Sequence, residues 1–151
     1  MRLVLTCAQR EVLIDRAAAG QPDEVCGLLG GRWQSETGEV SAVIPLANSA
    51  ATPRTNYLVE PRAFVDAYQR LERSGDDLIG IYHSHPHGAA IPSATDVAEA
   101  TWPDIPYLII GFPGASTPDI RAWNLKRGAA APVELVIVRD GRNLPNAVRY
   151  Q

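Results

Sequence analysis

Cysteines and long apolar runs are both scarce in this 151-residue chain, and each scarcity excludes a class of protein. With only two cysteines, Cys7 and Cys26, neither a disulfide-built scaffold nor a closed metal site of several thiolates is expected. Reduced thiols are the default, although the sequence leaves a bond between these two residues open. No apolar stretch approaches the ~20 residues of a membrane-spanning helix, and Leu3–Cys7 is too short for a signal-peptide core. We predict a cytoplasmic protein with no membrane partner.

Concentrated positive charge is also missing. The formal net charge is −3, the pI is about 5.6, and the 14 Lys and Arg residues are scattered along the chain. A surface for nucleic acid needs clustered cations, so no nucleic-acid partner is expected. The length suits one domain with its own core. We predict that this domain covers residues 1–140 and that residues 141–151 form a polar tail.

Histidine, by contrast, is concentrated in one place, because all three histidines lie between residues 83 and 87. The apolar run of residues 77–82 predicts a buried strand that continues through the first two of them. Side chains alternate along a strand, so His83 and His85 share one face while Ser84 points away and has a supporting or packing role. His87 lies in the following loop and is interpreted as a solvated residue, with a substrate contact as the alternative.

A carboxylate follows at the spacing that a metal site needs. Residues 93–96, Ser-Ala-Thr-Asp, predict the start of a helix with Ser93 as its N-cap, so Asp96 lies in the first turn and faces the histidines. Two imidazoles and one carboxylate leave the fourth tetrahedral position open for water, as in catalytic zinc sites. We therefore predict Zn²⁺ bound by His83, His85 and Asp96. The Ser93 hydroxyl, besides capping the helix, is a candidate donor to a developing oxyanion.

This pattern resembles the JAMM or MPN+ (Mov34/PAD-1) family of zinc metalloproteases. Its motif is present as His-Ser-His-Pro at residues 83–86, seven residues between His85 and Ser93, and two residues between Ser93 and Asp96. The upstream match is Glu24, within residues 23–31. The resemblance implies that Glu24 is the general acid/base, which takes a proton from the zinc-bound water and passes it to the leaving amine. Without the resemblance, Glu24 would be interpreted as an exposed turn residue.

The resemblance also implies a function. Such enzymes hydrolyse peptide or isopeptide bonds at the C-terminal Gly-Gly of a ubiquitin-like modifier or a sulfur-carrier protein, and this short chain is similar to minimal prokaryotic members. Three alternatives stay open: removal of cysteine from a sulfur-carrier protein during cysteine synthesis, hydrolysis of a small-molecule amide, and a non-catalytic MPN scaffold. The scaffold is disfavoured because scaffold members lack ligands that this chain retains. A homodimer is also left open.

The substrate tail is expected to lie extended past the metal and to add a strand to an exposed sheet edge. We predict that Asn48–Tyr57 and the loop Pro86–Pro92 line its passage. Arg54 is the cation of the first segment. It is a candidate partner for a carboxylate or carbonyl, with a solvated arginine as the alternative.

Periodicity and turn residues predict an alternation of helices and strands. The predicted helices are Gln9–Ala19, Pro61–Arg73 and Ser93–Thr101. The predicted strands are Val25–Gly30, Glu39–Leu46, Tyr57–Val59, Asp77–His85, Pro106–Phe112, Ile120–Leu125 and Val133–Val138. This order agrees with the fold that the resemblance implies: an α/β, single three-layer domain with a central mixed β-sheet flanked by helices, as in JAMM and cytidine-deaminase-like proteins.

Overall fold

The computed structural model describes residues 1–114, 117–126, 128–141 and 148–150. The helices in this part of the chain are α1 (Cys7–Gly20), α2 (Pro61–Ser74) and α3 (Ala94–Glu99). The strands are β1 (Arg2–Thr6), β2 (Cys26–Gln34), β3 (Thr37–Leu46), β4 (Asp77–His85), β5 (Tyr107–Gly111), β6 (Asp119–Lys126), β7 (Ala129–Val138) and β8 (Val148–Tyr150). The three predicted helices and six of the seven predicted strands are confirmed, with ends that shift by a few residues.

The strands form one mixed sheet in the order β1-β3-β2-β4-β5-β6-β7-β8, and a further pairing joins β1 to β7. β1 runs parallel to β3 on one edge and to β7 on the other, so the sheet closes on itself. The predicted single α/β domain with a mixed sheet is confirmed, but the predicted three-layer arrangement around a central sheet is wrong, because the sheet is closed. The closing strand β1 was not predicted. Its apolar residues Leu3, Val4 and Leu5 are all buried, as expected for a strand that is paired on both edges and covered on both faces.

The helices cover the two faces of this sheet. Leu13 and Ala17 of α1 pack into a core cluster with residues of β1 to β7. Ala67 and Leu71 of α2 pack into a second cluster, against which Val97 of α3 also lies. None of the described helices combines the length and the apolar character needed to span a membrane. Both cysteines are free thiols, as the default prediction had it.

The predicted strand Tyr57–Val59 is wrong, because residues 56–60 belong to neither helix nor strand. The backbone N–H of Leu58 donates to Oδ1 of Asn48 at 3.1 Å, and its carbonyl accepts from the N–H of Ser49 at 2.8 Å. The backbone groups of Leu58, in the middle of this run, are thus satisfied inside its own loop rather than by a neighbouring strand.

The predicted polar tail contains a strand. The backbone of β8 pairs antiparallel with β7 between residues 148 and 150, while positions 142–147 and 151 lie outside the described residues. The domain boundary at residue 140 therefore stays a prediction.

Candidate metal centre

Two elements position the predicted metal ligands. β4 is buried along almost its whole length and carries His83 and His85 at its end. α3 begins with Ser93 as its N-cap, as predicted: Oγ of Ser93 accepts from the N–H of Asp96 at 3.1 Å, and the N–H of Ser93 donates to Oδ2 of Asp96 at 2.6 Å. This reciprocal capping box holds the Asp96 carboxylate in the first turn of the helix.

The three predicted ligand side chains converge. Nε2 of His83 lies 3.1 Å from Nε2 of His85, and the carboxylate of Asp96 lies 3.2 Å and 3.3 Å from these two nitrogens. Zinc–ligand bonds of about 2.0–2.2 Å separate two ligands of a tetrahedral site by about 3.3–3.5 Å. The spacing and the donor set of two imidazoles and one carboxylate therefore fit a zinc ion.

The loop after β4 fixes the tautomer of His85. Nδ1 of His85 lies 3.0 Å from the carbonyl oxygen of Ala89. A carbonyl only accepts, so Nδ1 carries a proton, and in the neutral ring it is the lone pair of Nε2 that faces the site. The loop itself is held by Nε1 of Trp123, which donates to the carbonyl of Ala90 at 2.9 Å. It also packs against Gly111, where a Cβ atom would collide with the backbone of residues 88–90. The sequence carried no signal for this anchor.

His83 is held differently. Its side chain is fully buried, and its Nδ1 has no hydrogen-bond partner among the described residues. The ring of Tyr57 instead stacks on the imidazole, with centroids 4.5 Å apart and an interplanar angle of 22°. Stacking therefore orients this ligand where a hydrogen bond is the usual means. The local sequence around Tyr57 predicts only a strand and a part of the substrate passage, and gives no signal for this stacking.

β2 brings Glu24 to the same place. The N–H of Ser84 donates to the carbonyl of Val25 at 3.0 Å, and the N–H of Val25 donates to Oγ of Ser84 at 2.9 Å. Continuing this antiparallel register places Glu24 opposite His85. The supporting role predicted for Ser84 is confirmed, because its hydroxyl ties the Glu24 segment to the strand that carries the histidines.

The environment of Glu24 is that of a proton carrier. Glu24 is 6% exposed, and burial raises the pKa of its carboxyl group to about 7, with a smaller decrease from His85 and an increase from Asp96. Both of these side chains thus act electrostatically on Glu24. A carboxyl group that titrates near neutral pH can both take up and release a proton under physiological conditions. Glu24 is therefore not the exposed turn residue that its local sequence suggested.

The protonation states of the three candidate ligands are linked through Asp96. Burial lowers the pKa of His83, so this ring is neutral. Burial also disfavours the charged form of His85, but hydrogen bonding to Asp96 and to the Ala89 carbonyl outweighs it and raises the pKa. Burial disfavours the charged form of Asp96 as well, yet hydrogen bonds with both histidines hold the pKa of its carboxyl group well below its usual range. Without a metal the charged carboxylate is thus paired with imidazole protons, and a divalent cation bound at this point would take the place of those protons.

A mostly apolar groove of about 350 Å³ begins at Asp96. Its walls come from the 56–61 segment, α2, α3 and the strands beneath, and include Tyr57, Leu58, Phe64, Val65, Trp102 and Tyr107. Of the predicted Asn48–Tyr57 passage, only Asn56 and Tyr57 line this groove, and the described residues of the Pro86–Pro92 loop contribute nothing to it. Arg54 is exposed away from the groove lining, and His87 is exposed as predicted.

Comparison with known proteins places this geometry in a family. Prokaryotic homologues of the JAB domain match the chain over residues 8–126. A desampylase of Haloferax volcanii is 42% identical over 120 residues, which cover 77% of this chain and 85% of that protein. A probable TtuB-protein conjugate cleaving protease of Thermus thermophilus is 45% identical over 107 residues, 71% of this chain and 65% of the relative. A CysO-cysteine peptidase of Mycobacterium bovis is 30% identical over 136 residues, 89% and 91% of the two chains.

Structural similarity agrees with the sequence matches. The solution structure of a protein from Desulfitobacterium hafniense superposes with a TM-score of 0.83 at 31% identity, over 91% of this chain and 94% of that one. Sequence match, shared fold and the converging His-His-Asp group lead to one conclusion. The chain belongs to the family of prokaryotic JAB-domain proteins, the prokaryotic branch of the JAMM/MPN family.

Proposed function

We propose that this chain is a zinc-dependent isopeptidase that hydrolyses the bond after the C-terminal Gly-Gly of a ubiquitin-like modifier or sulfur-carrier protein. The observation that carries the proposal is the convergence of His83, His85 and Asp96 on one point, within electrostatic reach of the buried Glu24. The similarity to a desampylase and to a probable conjugate-cleaving protease supports the substrate class.

In this proposal His83, His85 and Asp96 hold the metal. When bound, Zn²⁺ supplies Lewis-acid chemistry: it polarises the amide carbonyl and makes a hydroxide nucleophile available at neutral pH. Because Nδ1 of His85 is bound to the Ala89 carbonyl, loss of the Nε2 proton directs the lone pair of Nε2 at the metal site, and the lowered pKa of His83 keeps its ring uncharged.

The remaining steps belong to the protein. Glu24 takes the proton of the attacking water and delivers it to the leaving amine, which requires a pKa near neutrality. Ser93 donates its hydroxyl hydrogen to the developing oxyanion, for which this hydrogen turns away from the Asp96 carboxylate, whose pKa it also helps to lower.

The apolar groove beside Asp96 receives the extended tail of the modifier. Residues 56–60 along its rim have no regular structure, and this stretch rather than a sheet edge is the place for a tail to pair, because the sheet closes through β1 and β7. A cytoplasmic location, a possible homodimer and the absence of nucleic-acid partners stay predictions from the sequence.

A second candidate uses the same chemistry with a different leaving group. The relative named CysO-cysteine peptidase matches over the larger part of both chains, which favours release of a C-terminal cysteine from a carrier protein. No observation favours a small-molecule amidohydrolase. The complete donor set speaks against a metal-free scaffold.

The test combines metal analysis with cleavage. We expect about one zinc per chain in the wild type and in Glu24→Gln, and loss of zinc in His85→Ala. Cleavage should be abolished in both variants, for lack of the proton carrier in one and of the metal in the other. Comparing a Gly-Gly–lysine isopeptide with a Gly-Gly–cysteine terminus on one modifier distinguishes the two candidates. A metal-free, inactive wild type would contradict the proposal.

A further inference from the structure

The side chain of Asn48 uses all of its hydrogen-bonding capacity to join its own loop to the segment of Glu24. Its Nδ2 donates to the carbonyl oxygens of Glu24 at 2.9 Å and Asn56 at 3.0 Å. Its Oδ1 accepts from the N–H groups of Ala50 at 3.0 Å and Leu58 at 3.1 Å. An amide that satisfies four backbone groups at once fixes their relative positions, because leaving any of them unpaired in a partly buried place costs free energy.

These four bonds connect two parts of the metal centre. On one side Asn48 holds the backbone of Glu24, whose N–H is also tied into the loop through the carbonyl of Pro53 at 2.7 Å. On the other side it holds both neighbours of Tyr57, the residue whose ring stacks on His83. The side chain of Asn48 therefore connects the candidate proton carrier, Glu24, to the ring of Tyr57 that packs on His83.

We infer that Asn48 is a positioning residue that sets the placement of Glu24 relative to the metal and keeps Tyr57 packed on His83. The inference rests on the proposed function, since it needs Glu24 as proton carrier and His83 as ligand. Asn48 touches neither metal nor substrate and acts only through these two residues.

The chemistry of the amide makes the inference testable by an isosteric change. Asn48→Asp keeps the oxygen that accepts from Ala50 and Leu58 but replaces the donor to Glu24 and Asn56 with a second acceptor. The two carbonyls then face a carboxylate oxygen, which cannot donate to them. The hydrogen bonds that connect residue 48 to Glu24 and Asn56 are therefore lost. Ser49→Ala is the matched control: it removes the hydrogen bond from Oγ of Ser49 to the carbonyl of Leu58 in the same loop, without touching Glu24 or Tyr57.

The measurements are zinc release to a chelator, followed optically, and kcat and KM per zinc-loaded enzyme on a Gly-Gly-linked modifier fusion. For Asn48→Asp we expect kcat to fall about tenfold or more and zinc release to accelerate about tenfold, the range for residues that support metal ligands. We also expect KM to rise, because Asn48 holds the backbone of Asn56 and Leu58, which line the groove, so kcat is measured at saturating substrate. Ser49→Ala should match the wild type. Wild-type kcat and zinc release in Asn48→Asp would overturn the inference.

A second pair of variants tests the contact between Tyr57 and His83 without altering Asn48. Tyr57→Leu removes the ring from His83, and Tyr57→Phe keeps it. We expect faster zinc release in Tyr57→Leu and recovery of the wild-type rate in Tyr57→Phe. If Asn48→Asp fails to fold, this pair still tests whether the packing of Tyr57 on His83 retains the metal. Equal rates of zinc release in Tyr57→Leu and wild type would overturn that part of the inference.

Measurements on the wild type distinguish a failure of the proposed function from a failure of the inference about Asn48. A wild type that holds no zinc and cleaves no fusion refutes the proposed function. A wild type that holds zinc and cleaves, together with an unaffected Asn48→Asp, refutes only the positioning role of Asn48.

Discussion

At the scale of single residues, the ionisation of Glu24 shows how burial creates a reactive group. A glutamate in water is charged at neutral pH, whereas burial raises the pKa of this one to about 7. The spacing of the motif predicted His83, His85, Ser93 and Asp96 as candidates, the family resemblance added Glu24, and the structure brings the three candidate ligands together. The contacts of Tyr57 and Asn48 could not be predicted, because each connects segments that no local pattern relates.

The raised pKa of Glu24 predicts a dependence of stability on pH in the metal-free protein. The folded state binds this proton with a pKa of about 7, against an ordinary value of 4.5. The folded state therefore binds more protons between these values, and the free energy of unfolding falls as pH rises through that window. Glu24→Gln removes this loss. We therefore expect the free energy of unfolding of the variant, relative to that of the wild type, to increase by on the order of 1–3 kcal/mol as pH rises from 4 to 8.

The measurement is urea unfolding of both chelator-treated proteins at the two pH values. A stability difference between variant and wild type that stays constant with pH would show that Glu24 titrates at its ordinary pKa. The variant should also retain zinc, so metal-loaded samples serve as a check that the site is intact.

At the scale of elements, the loop after β4 is shaped by the strands beneath it. Gly111 at the end of β5 and Trp123 in β6 hold the backbone of residues 88–90 in place, and the carbonyl of Ala89 in turn fixes His85. Alternation along a strand and the first turn of a helix are local rules, so β4 and α3 were predicted with their ligands. The anchoring of the loop depends on strands that pair only after folding.

Gly111→Ala should weaken the metal centre through this loop. A Cβ atom at residue 111 collides with the backbone at Ala89 and Ala90, so the loop must move and the hydrogen bond to Nδ1 of His85 lengthens. We expect zinc affinity to fall about tenfold, as for other lost supports of a ligating histidine. Competition with a chromogenic chelator measures this affinity.

Gly88→Ala is the control in the same loop, since its added Cβ would meet only Cβ of His85 at an ordinary 3.7 Å. It should bind zinc like the wild type. Equal affinities for Gly111→Ala and wild type would mean that the loop does not govern His85.

At the scale of the whole molecule, the sheet is closed by its first strand. β1 lies between β3 and β7, where Leu5 pairs with Ile137 and is completely buried. The sequence of this segment is too short for a signal-peptide core, and by itself it does not predict a strand. A short apolar run near a chain terminus carries no periodicity that distinguishes a closing strand from other buried segments.

The closure predicts that β1 is a main determinant of stability although it lies away from the metal ligands in sequence. Leu5→Ala should lower the free energy of unfolding by about 2–5 kcal/mol, the usual cost of removing a buried leucine side chain. Zinc stoichiometry in the folded variant should be unchanged. Chemical denaturation measures this loss of stability. The control is Val12→Ala, at a half-exposed position of α1, which should lower the free energy of unfolding much less.

The sequence by itself determined the identity of the site. The ligand residues follow from side-chain alternation in β4 and from the capping box of α3, both of which act within a few residues. Only the tertiary structure decided how the sheet closes, how Glu24 comes to be buried and how Asn48 and Tyr57 hold the centre together. These features depend on contacts between distant segments, whose pairing is selected by the packing of the whole core and not by local preference.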